Sequence, residues 1–313
     1  MKIAFVMDPL SKVNPSKDTT YYIMLAASER GHQVFFLNQY DLWYEDGKLM
    51  GVLTQVKVHA DIAQPFSVEK PKNTALDHMD VIFVRTDPPF DRNYFYTTLL
   101  LDLLPATTKV LNRPSGLRNW NEKLAAELYP EYTPTTLVTQ RSELIQKFAA
   151  TRKRITIKPI DGYAGKGIFF LEPGDANFDQ VVDLMTNGQR RRVLVQEYVP
   201  AATEGDKRIL LLNGEPMGAI LRLHPEGKEL NNLDAGGTAH PTELNDRDLK
   251  ICAAMKEGLV QEGIFFAGID IIGGMLIEIN VTSPTGLQQL CTFSGIPFHH
   301  HIIEAMEKGG FVH

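Results

Sequence analysis

The sequence predicts an α/β head followed by an α+β body built on antiparallel sheets. In the first third, short apolar runs alternate with helix-period segments, the pattern of a small α/β layer. Beyond Thr135 the apolar runs crowd together and are punctuated by Asp161-Gly162, Asn213-Gly214 and Gly273-Gly274, dipeptides suited to the positive backbone angles of tight reversals. With 313 residues, the chain is long for one core and short for three large ones, so two or three lobes sharing interfaces are expected.

In chain order, the head is expected to hold strands at Ile3 to Met7, Val34 to Leu37, Val81 to Val84 and Val110 to Leu111. Helices fit near Thr19 to Arg30, Tyr94 to Leu104 and Ser115 to Leu128. Gly31 stands where a left-handed residue closes the first helix, and the Ser115 hydroxyl can cap the third. In the body, strands are expected at Ile155 to Lys158, Ile168 to Leu171, Val193 to Gln196, Arg208 to Leu212, Met217 to Leu223, Phe265 to Ile272 and Leu276 to Val281. There is no internal repeat, and no Pro/Gly/Ser linker marks the boundary near Asn121.

Composition narrows the function. Apolar residues make up 43% and charged residues 22% of the chain, which excludes disorder and a disulfide scaffold. The formal charge of -6 and the shortness of the basic stretches Thr151 to Arg154 and Gln189 to Arg192 argue against a nucleic-acid surface, which needs clustered cations. Cys252 and Cys291 lack metal or redox spacing and read as packing thiols of a reducing compartment. The apolar start, Met1 to Met7, breaks at Asp8-Pro9, too short for a signal segment, and no stretch has the length of a membrane span. A cytoplasmic enzyme without nucleic-acid or membrane partners is expected.

The chemistry concentrates near the end of the body. In a strand through Glu278, Ile279, Asn280 and Val281, side chains alternate, so Glu278 and Asn280 share one face while Ile277, Ile279 and Val281 share the other. The neighbouring run Gly268 to Ile272 carries Asp270. A two-residue turn at Gly273-Gly274 sets Asp270 opposite Ile277 and facing away; a loop that includes Met275 sets it opposite Glu278. The plain alternative is the wet face of an antiparallel sheet. In the second register Asp270, Glu278 and Asn280 form a set of hard oxygen donors suited to Mg2+.

Lys158 ends a strand just before Pro159, and Asp161 to Gly167 form a glycine-rich loop leading to another strand. This is no Walker A loop, which requires Ser or Thr after its lysine and a following helix. Without Cβ atoms, Gly162, Gly165 and Gly167 leave backbone N–H groups open to phosphate. The run Gln196-Glu197-Tyr198-Val199-Pro200 carries a strand into a proline and can offer backbone groups to a purine edge.

Taken together, Asn121-Glu122-Lys123-Leu124, Ile157 to Gly162, Gln196 to Pro200, Gly205-Asp206-Lys207-Arg208 and Glu278 to Thr285 resemble the ordered motif series of prokaryotic glutathione synthetases, in the ATP-grasp superfamily. Val6 to Pro9 and Arg85 to Asp91 resemble the N-terminal signatures of that family, so the resemblance spans nearly the whole chain. It implies an N-terminal α/β substrate domain (1–122), an ATP-grasp small lobe (123–200) and a C-terminal lobe with metal site and lid (201–313). On that pattern Lys123, Lys158, Gly162, Gly165, Gly167, Gln196, Glu197, Tyr198, Val199 and Asp206 contact the nucleotide. Asp270, Glu278 and Asn280 hold Mg2+, with Mn2+ as a substitute, and Arg208 and Arg222 face the transferring phosphate. Arg85, Asp87, Ser283 and Thr285 serve the substrate. The implied reaction joins γ-glutamylcysteine and glycine at the expense of ATP, in a homo-oligomer, a tetramer by resemblance. Phosphoryl transfer of this kind depends on positioning and charge.

Two stretches depart from the pattern. Lys228 to Thr238 lacks an arginine before the Asn-Leu-x-x-Gly-Gly element and a basic residue after it, and a lysine there lacks the planar fork of arginine. Gly286 to Leu290 carries no charge. A related ligase acting on another amino acid or small peptide is therefore the alternative, and a catalytically silent nucleotide sensor stands behind it. A dinucleotide oxidoreductase is excluded by the absence of Gly-x-Gly-x-x-Gly after the first strand. The adjacent His299, His300 and His301 point in different directions on a helix and read as a solvated or interfacial face rather than a metal site.

Overall fold

The computed structural model describes residues 1–163, 165–225 and 236–309. The head contains β1 (Lys2–Val6), α1 (Thr19–Glu29), β2 (Gln33–Leu37), β3 (Leu42–Glu45), β4 (Lys48–Val58), β5 (Phe66–Val68), β6 (Lys72–Ala75), β7 (Val81–Val84), α2 (Arg92–Leu101), β8 (Lys109–Leu111) and α3 (Pro114–Asn119). Strands β2, β1, β7 and β8 are parallel neighbours, as the alternation of apolar runs and helices leads one to expect. The antiparallel strands β3 to β6, grouped on β4 and joined through it to β2, have no counterpart in the sequence reading. Strands β5 and β6 are short and largely exposed, so pairing to β4, not a local apolar pattern, makes them strands.

Helix α1 starts where the Asp18 carboxylate accepts from the Tyr21 N–H at 2.8 Å, and Gly31 follows it with φ 79°, the left-handed stop expected there. Helix α2 starts earlier than expected, capped by Asp91, and ends at Leu101. The third expected helix is broken. Pro114 sits in the first turn of α3, Arg113 precedes it and no side chain caps it, so Ser115 is inside the helix rather than its cap; proline already supplies the helical φ and needs no N–H partner. At Trp120 the chain leaves helical geometry, and the Asn121 side chain accepts from the Lys123 and Leu124 N–H groups at 3.1 and 3.0 Å. A separate 3-10 turn covers Ala125–Leu128. That break turns Glu122 and Lys123 toward the body.

The middle of the chain contains β9 (Thr136–Thr139), α4 (Ser142–Ala150), β10 (Ile155–Pro159), β11 (Phe169–Leu171), α5 (Phe178–Thr186) and β12 (Val193–Glu197). They form an antiparallel sheet in the order β11-β10-β12-β9. Ile155, Ile157, Val193 and Val195 pack with Ile145, Val182 and Met185 of α4 and α5 in a core of their own. The alternation of a strand then sends Thr156, Lys158 and Gln196 to the opposite face.

The last part contains β13 (Asp206–Leu212), β14 (Glu215–Leu223), β15 (Thr238–Thr242), α6 (Asp246–Gln261), β16 (Phe266–Ile272), β17 (Met275–Asn280), α7 (Leu287–Ser294) and α8 (Phe298–Glu307). The antiparallel order is β15-β14-β13-β16-β17. Ile209, Leu211, Ile269, Leu276 and Ile279 join Ile251, Met255 and Leu259 of α6 in one core that continues into the head. Helices α7 and α8 join a second core shared with α1 and β1. Asn112 pins the two parts together: its side-chain amide donates to the carbonyls of Phe266 and Val281 at 2.8 and 2.7 Å, and its oxygen accepts from the Phe266 N–H at 2.8 Å. Helix α8 is interfacial against α1, as expected, but His299 and His300 do converge with Glu29, which the reading of three divergent histidines did not anticipate.

Candidate active site

The hairpin of β16 and β17 resolves the two registers left open by the sequence, and does so by a third route. Gly273 and Gly274, with φ 56° and 75°, make a two-residue turn that pairs Ile272 with Met275. Continued regularly, that turn would send Asp270 away from Glu278. A bulge intervenes: Ile271 pairs with Leu276, Asp270 with Glu278 and Gly268 with Asn280, leaving Ile277 as the extra residue. Asp270, Glu278 and Ile277 consequently line one cavity, whereas strict alternation would have set Ile277 on the far side.

Strand pairing brings more charge to the same sheet face. Arg208 lies opposite Asp270, and Asp206 opposite Arg222. Arg208 grips Asp270 with two hydrogen bonds of 2.5 and 2.9 Å, while Arg222 holds Asp206 in the same manner and reaches Asp270 Oδ2 at 2.9 Å. Gly268 makes room for this, since a Cβ there would stand 3.0 Å from Arg208 Cδ and 2.9 Å from Pro284 Cβ. Burial alone would raise the Asp270 carboxyl, yet the two guanidinium groups hold it well below the ordinary carboxylate range. It is therefore an anion at neutral pH. Asn280 Nδ2 adds a contact of 3.3 Å to the same carboxylate.

Across the cleft stand two lysines. Lys123 donates to Glu278 Oε1 at 2.9 Å and to the Gly162 carbonyl. Lys158, 8% exposed, donates to Gln196 Oε1 at 2.8 Å, and burial pushes it down to about 8 although Glu278 pulls the other way. Gly162 has to lack a Cβ, since one there would stand 2.4 Å from Pro159 Cγ. Gly165 and Gly167 have φ 74° and 73°.

These groups line two cavities. The first lies between the two antiparallel sheets, walled by Thr156, Phe170, Val199, Ala202, Ile272 and Ile277, and includes Lys123, Lys158, Gly162, Gly165, Asp206, Asp270 and the edge Gln196, Glu197, Tyr198, Val199. Arg154 stacks over Tyr198 and Phe170 at 4.4 and 5.0 Å. Gly167 lies beside Pro159 and is not in that lining. The second cavity faces the head and is lined by Asp87, Glu122, Arg208, Arg222, Asn280, Thr282, Ser283 and Thr285. Glu278, Tyr163 and Lys166 belong to both, so the cavities meet at Glu278.

Arg85 is not in either lining. It is 2% exposed and donates to Thr20 Oγ1 and to the Pro284 carbonyl at 3.1 and 2.9 Å, bracing the segment that carries Ser283 and Thr285 from behind. Burial pushes it down to about 10. Asp87 bonds to Ser283, and burial raises its carboxyl. Glu122, absent from the sequence-predicted set, accepts from the Val281 and Thr282 N–H groups and the Thr282 hydroxyl at 3.2, 3.1 and 2.7 Å. Its sequence signal was its place beside Lys123, masked by the expectation of a continuous helix. Of the expected lid, residues 226–235 lie outside the described residues, as does Ala164 of the glycine loop.

The donors suit the metal. Asp270 and Glu278 are cross-strand neighbours with Asn280 one step along, all oxygen-bearing, and Mg2+ prefers a few hard oxygens completed by phosphate and water. An open cleft between antiparallel sheets, with lysines on one wall and acidic strands on the other, is the arrangement that the sequence resemblance implies for an ATP-grasp ligase, an ATP-dependent carbon–nitrogen ligase.

The comparisons narrow this class. Residues 1–118 match the family model "Prokaryotic glutathione synthetase, N-terminal domain" and residues 122–295 "Prokaryotic glutathione synthetase, ATP-grasp domain". A glutathione synthetase of Synechococcus elongatus is 40% identical over 98% of both chains, and one of Pseudomonas syringae is 37% identical over 98% of this chain and 97% of the other. The chain belongs to the prokaryotic glutathione synthetase family. Among solved structures, D-cycloserine synthetase DcsG superposes with a TM-score of 0.68 at 15% identity, covering 98% of this chain and 99% of the other. The ATP-grasp ligase PsnB, in complex with a precursor variant, Mg and ADP, gives 0.63 at 16% identity over 98% of each chain; at such identities the likeness concerns the fold. Among the described residues no helix is long and apolar enough to cross a membrane.

Proposed function

We propose that this chain forms glutathione, ADP and phosphate from γ-glutamylcysteine, glycine and ATP. The observation that carries the reading is the meeting of the two cavities at Glu278, between the lysines of one and the arginines of the other. In this reading ATP lies in the first cavity, its purine edge along Gln196 to Val199 and its phosphates toward Lys123, Lys158 and the loop of Gly162, Gly165 and Gly167. Asp270, Glu278 and Asn280 would hold Mg2+, or Mn2+ in its place. The ion would neutralise phosphate charge as it is transferred.

The acyl substrate occupies the second cavity, near Asp87, Ser283 and Thr285, with Arg85 bracing that wall. Its carboxylate attacks the γ-phosphorus, ADP departs, and the acyl phosphate then takes the amine of glycine with loss of phosphate. Arg208 and Arg222 are aimed by Asp270 and Asp206, so their charge is already oriented where negative charge grows. A water-excluding closure over the cleft suits an acyl phosphate that hydrolyses readily. We also read the chain as three domains, 1–122, 123–200 and 201–313, supported by its three sheets, and as a cytoplasmic homo-oligomer, a tetramer by family resemblance.

The test is a substrate panel. Purified enzyme with ATP and Mg2+ is given γ-glutamylcysteine with glycine or other amines, and other acids with glycine, scoring ADP release and product mass. Glutathione formed with the highest kcat/KM is expected. A higher kcat/KM for a different acid or amine would assign the chain to a related ligation, the alternative raised by the absence of arginine between Lys228 and Thr238.

A further inference from the structure

Remote from the ligase machinery, Glu29 at the end of α1 and His299 and His300 at the start of α8 each present one donor atom such that all three atoms lie within 4.8 Å of one another. We propose that these three residues bind a divalent late-transition-metal ion of the Zn2+ type, which clamps the C-terminal helix to the N-terminal domain.

The geometry is close to what such an ion requires. Ligands about 2.0–2.1 Å from a tetrahedral Zn2+ stand roughly 3.3 Å apart, and His300 Nε2 is already 3.2 Å from Glu29 Oε2. The two imidazoles lie side by side, with centroids 4.5 Å apart. The His299 donor lies within 4.8 Å of the other two, so a side-chain movement of at most roughly 1.5 Å brings it to ligand spacing. Two imidazole nitrogens and a carboxylate oxygen make a borderline donor set, suited to Zn2+ and its neighbours, whereas Mg2+ favours an all-oxygen site such as that of Glu278.

The surroundings hold the donors. The His299 ring packs 5.0 Å from Tyr22, with Cys291 Sγ 3.6 Å from its Nδ1. His301 is turned away against the Phe298 ring, which leaves two histidines and not three at the cluster. The three donors come from elements some 270 positions apart in the chain, so only the packing of α8 on α1 assembles them. Beyond the apolar core that α8 shares with α1, the rim of the seam is polar: Arg30 pairs with Glu304 and Glu307 at 3.2 and 2.6 Å, and His32 with Glu307 at 2.8 Å. An ion here would add a coordinate tie to a seam otherwise held at its rim by exposed pairs of small individual worth. None of the three donors lines either ligase cavity.

The test uses the full chain without any affinity tag, stripped of metal and kept in excess Mg2+ to fill the hard-oxygen site. Calorimetric titration with Zn2+ should show one ion per chain and a Tm that rises with Zn2+. Glu29→Gln, at an exposed position, and His300→Ala should each weaken binding by more than the roughly 10- to 100-fold caused by losing an outer partner. Both should abolish the Tm response and keep the ligase kcat of the wild type. Zn2+ affinity unchanged in Glu29→Gln, or no Zn2+ uptake by the wild type under excess Mg2+, would overturn the site.

Discussion

Replacing Lys158 with methionine separates what this residue does for the reaction from what it does to the fold. Its fall from 10.5 to about 8 corresponds to about 3 kcal/mol against the charged form in the folded protein. Removing the charge relieves that penalty, while Gln196 Oε1 loses its donor, a loss of about 1 kcal/mol. The ligand-free variant should be more stable than wild type by about 2 kcal/mol at pH 7, a rise in Tm of a few degrees.

The pH dependence follows from the direction of the shift. Below about 8 the lysine is charged in both states and the whole penalty is present. Between about 8 and 10.5 the unfolded chain still holds the proton while the folded protein has released it, so wild-type stability climbs. The difference between variant and wild type should shrink across that window. The Michaelis constant for ATP should move the other way, rising roughly 10- to 100-fold as a charged donor to phosphate is lost. Thermal and urea denaturation at pH 7 and pH 10, with ATP saturation curves, read both effects. A variant less stable at pH 7 would refute the burial argument, and an unchanged KM for ATP would remove Lys158 from the phosphates.

Further outcomes are expected from three other positions. Glu278→Gln should lower turnover by roughly 100- to 1000-fold with an unchanged circular dichroism spectrum; full activity in that variant would remove the metal from Glu278. Asn112→Ala strips three buried hydrogen bonds between the head and the β16–β17 hairpin and should destabilise by about 2–4 kcal/mol, checked by the denaturation midpoint, where no shift would mean the amide is dispensable. Gly162→Ala drives a Cβ to 2.4 Å from Pro159 Cγ, so the loop must move; KM for ATP should rise with little change in Tm, and unaltered ATP kinetics would show that the loop need not sit there.

The sequence by itself determined seven strands of the body and most of their turns, because apolar alternation and glycine pairs act over a few residues, but not the edge strands Thr136–Thr139 and Thr238–Thr242, which pairing to a neighbour makes strands. It also supplied the residue types of the site: Asp270 and Glu278 were evident as acids in apolar strands, and Lys158 as a lysine at a strand end. Their convergence was decided by the tertiary structure. The turn at Gly273-Gly274 would by its own logic have separated Asp270 from Glu278, and only the bulge at Ile277 brings them opposite one another. Periodicity likewise ran Ser115 to Leu128 into one helix, whereas the Asn121 turn breaks it so that the Glu122 side chain can bond Thr282 and its carbonyl can accept from Ile279. Arg85, at a place that resembles a substrate signature, is spent on a backbone carbonyl behind the cavity. The cluster of Glu29, His299 and His300 follows the same rule: local periodicity tells which way each side chain leaves its own element, and the packing of distant elements decides what it meets.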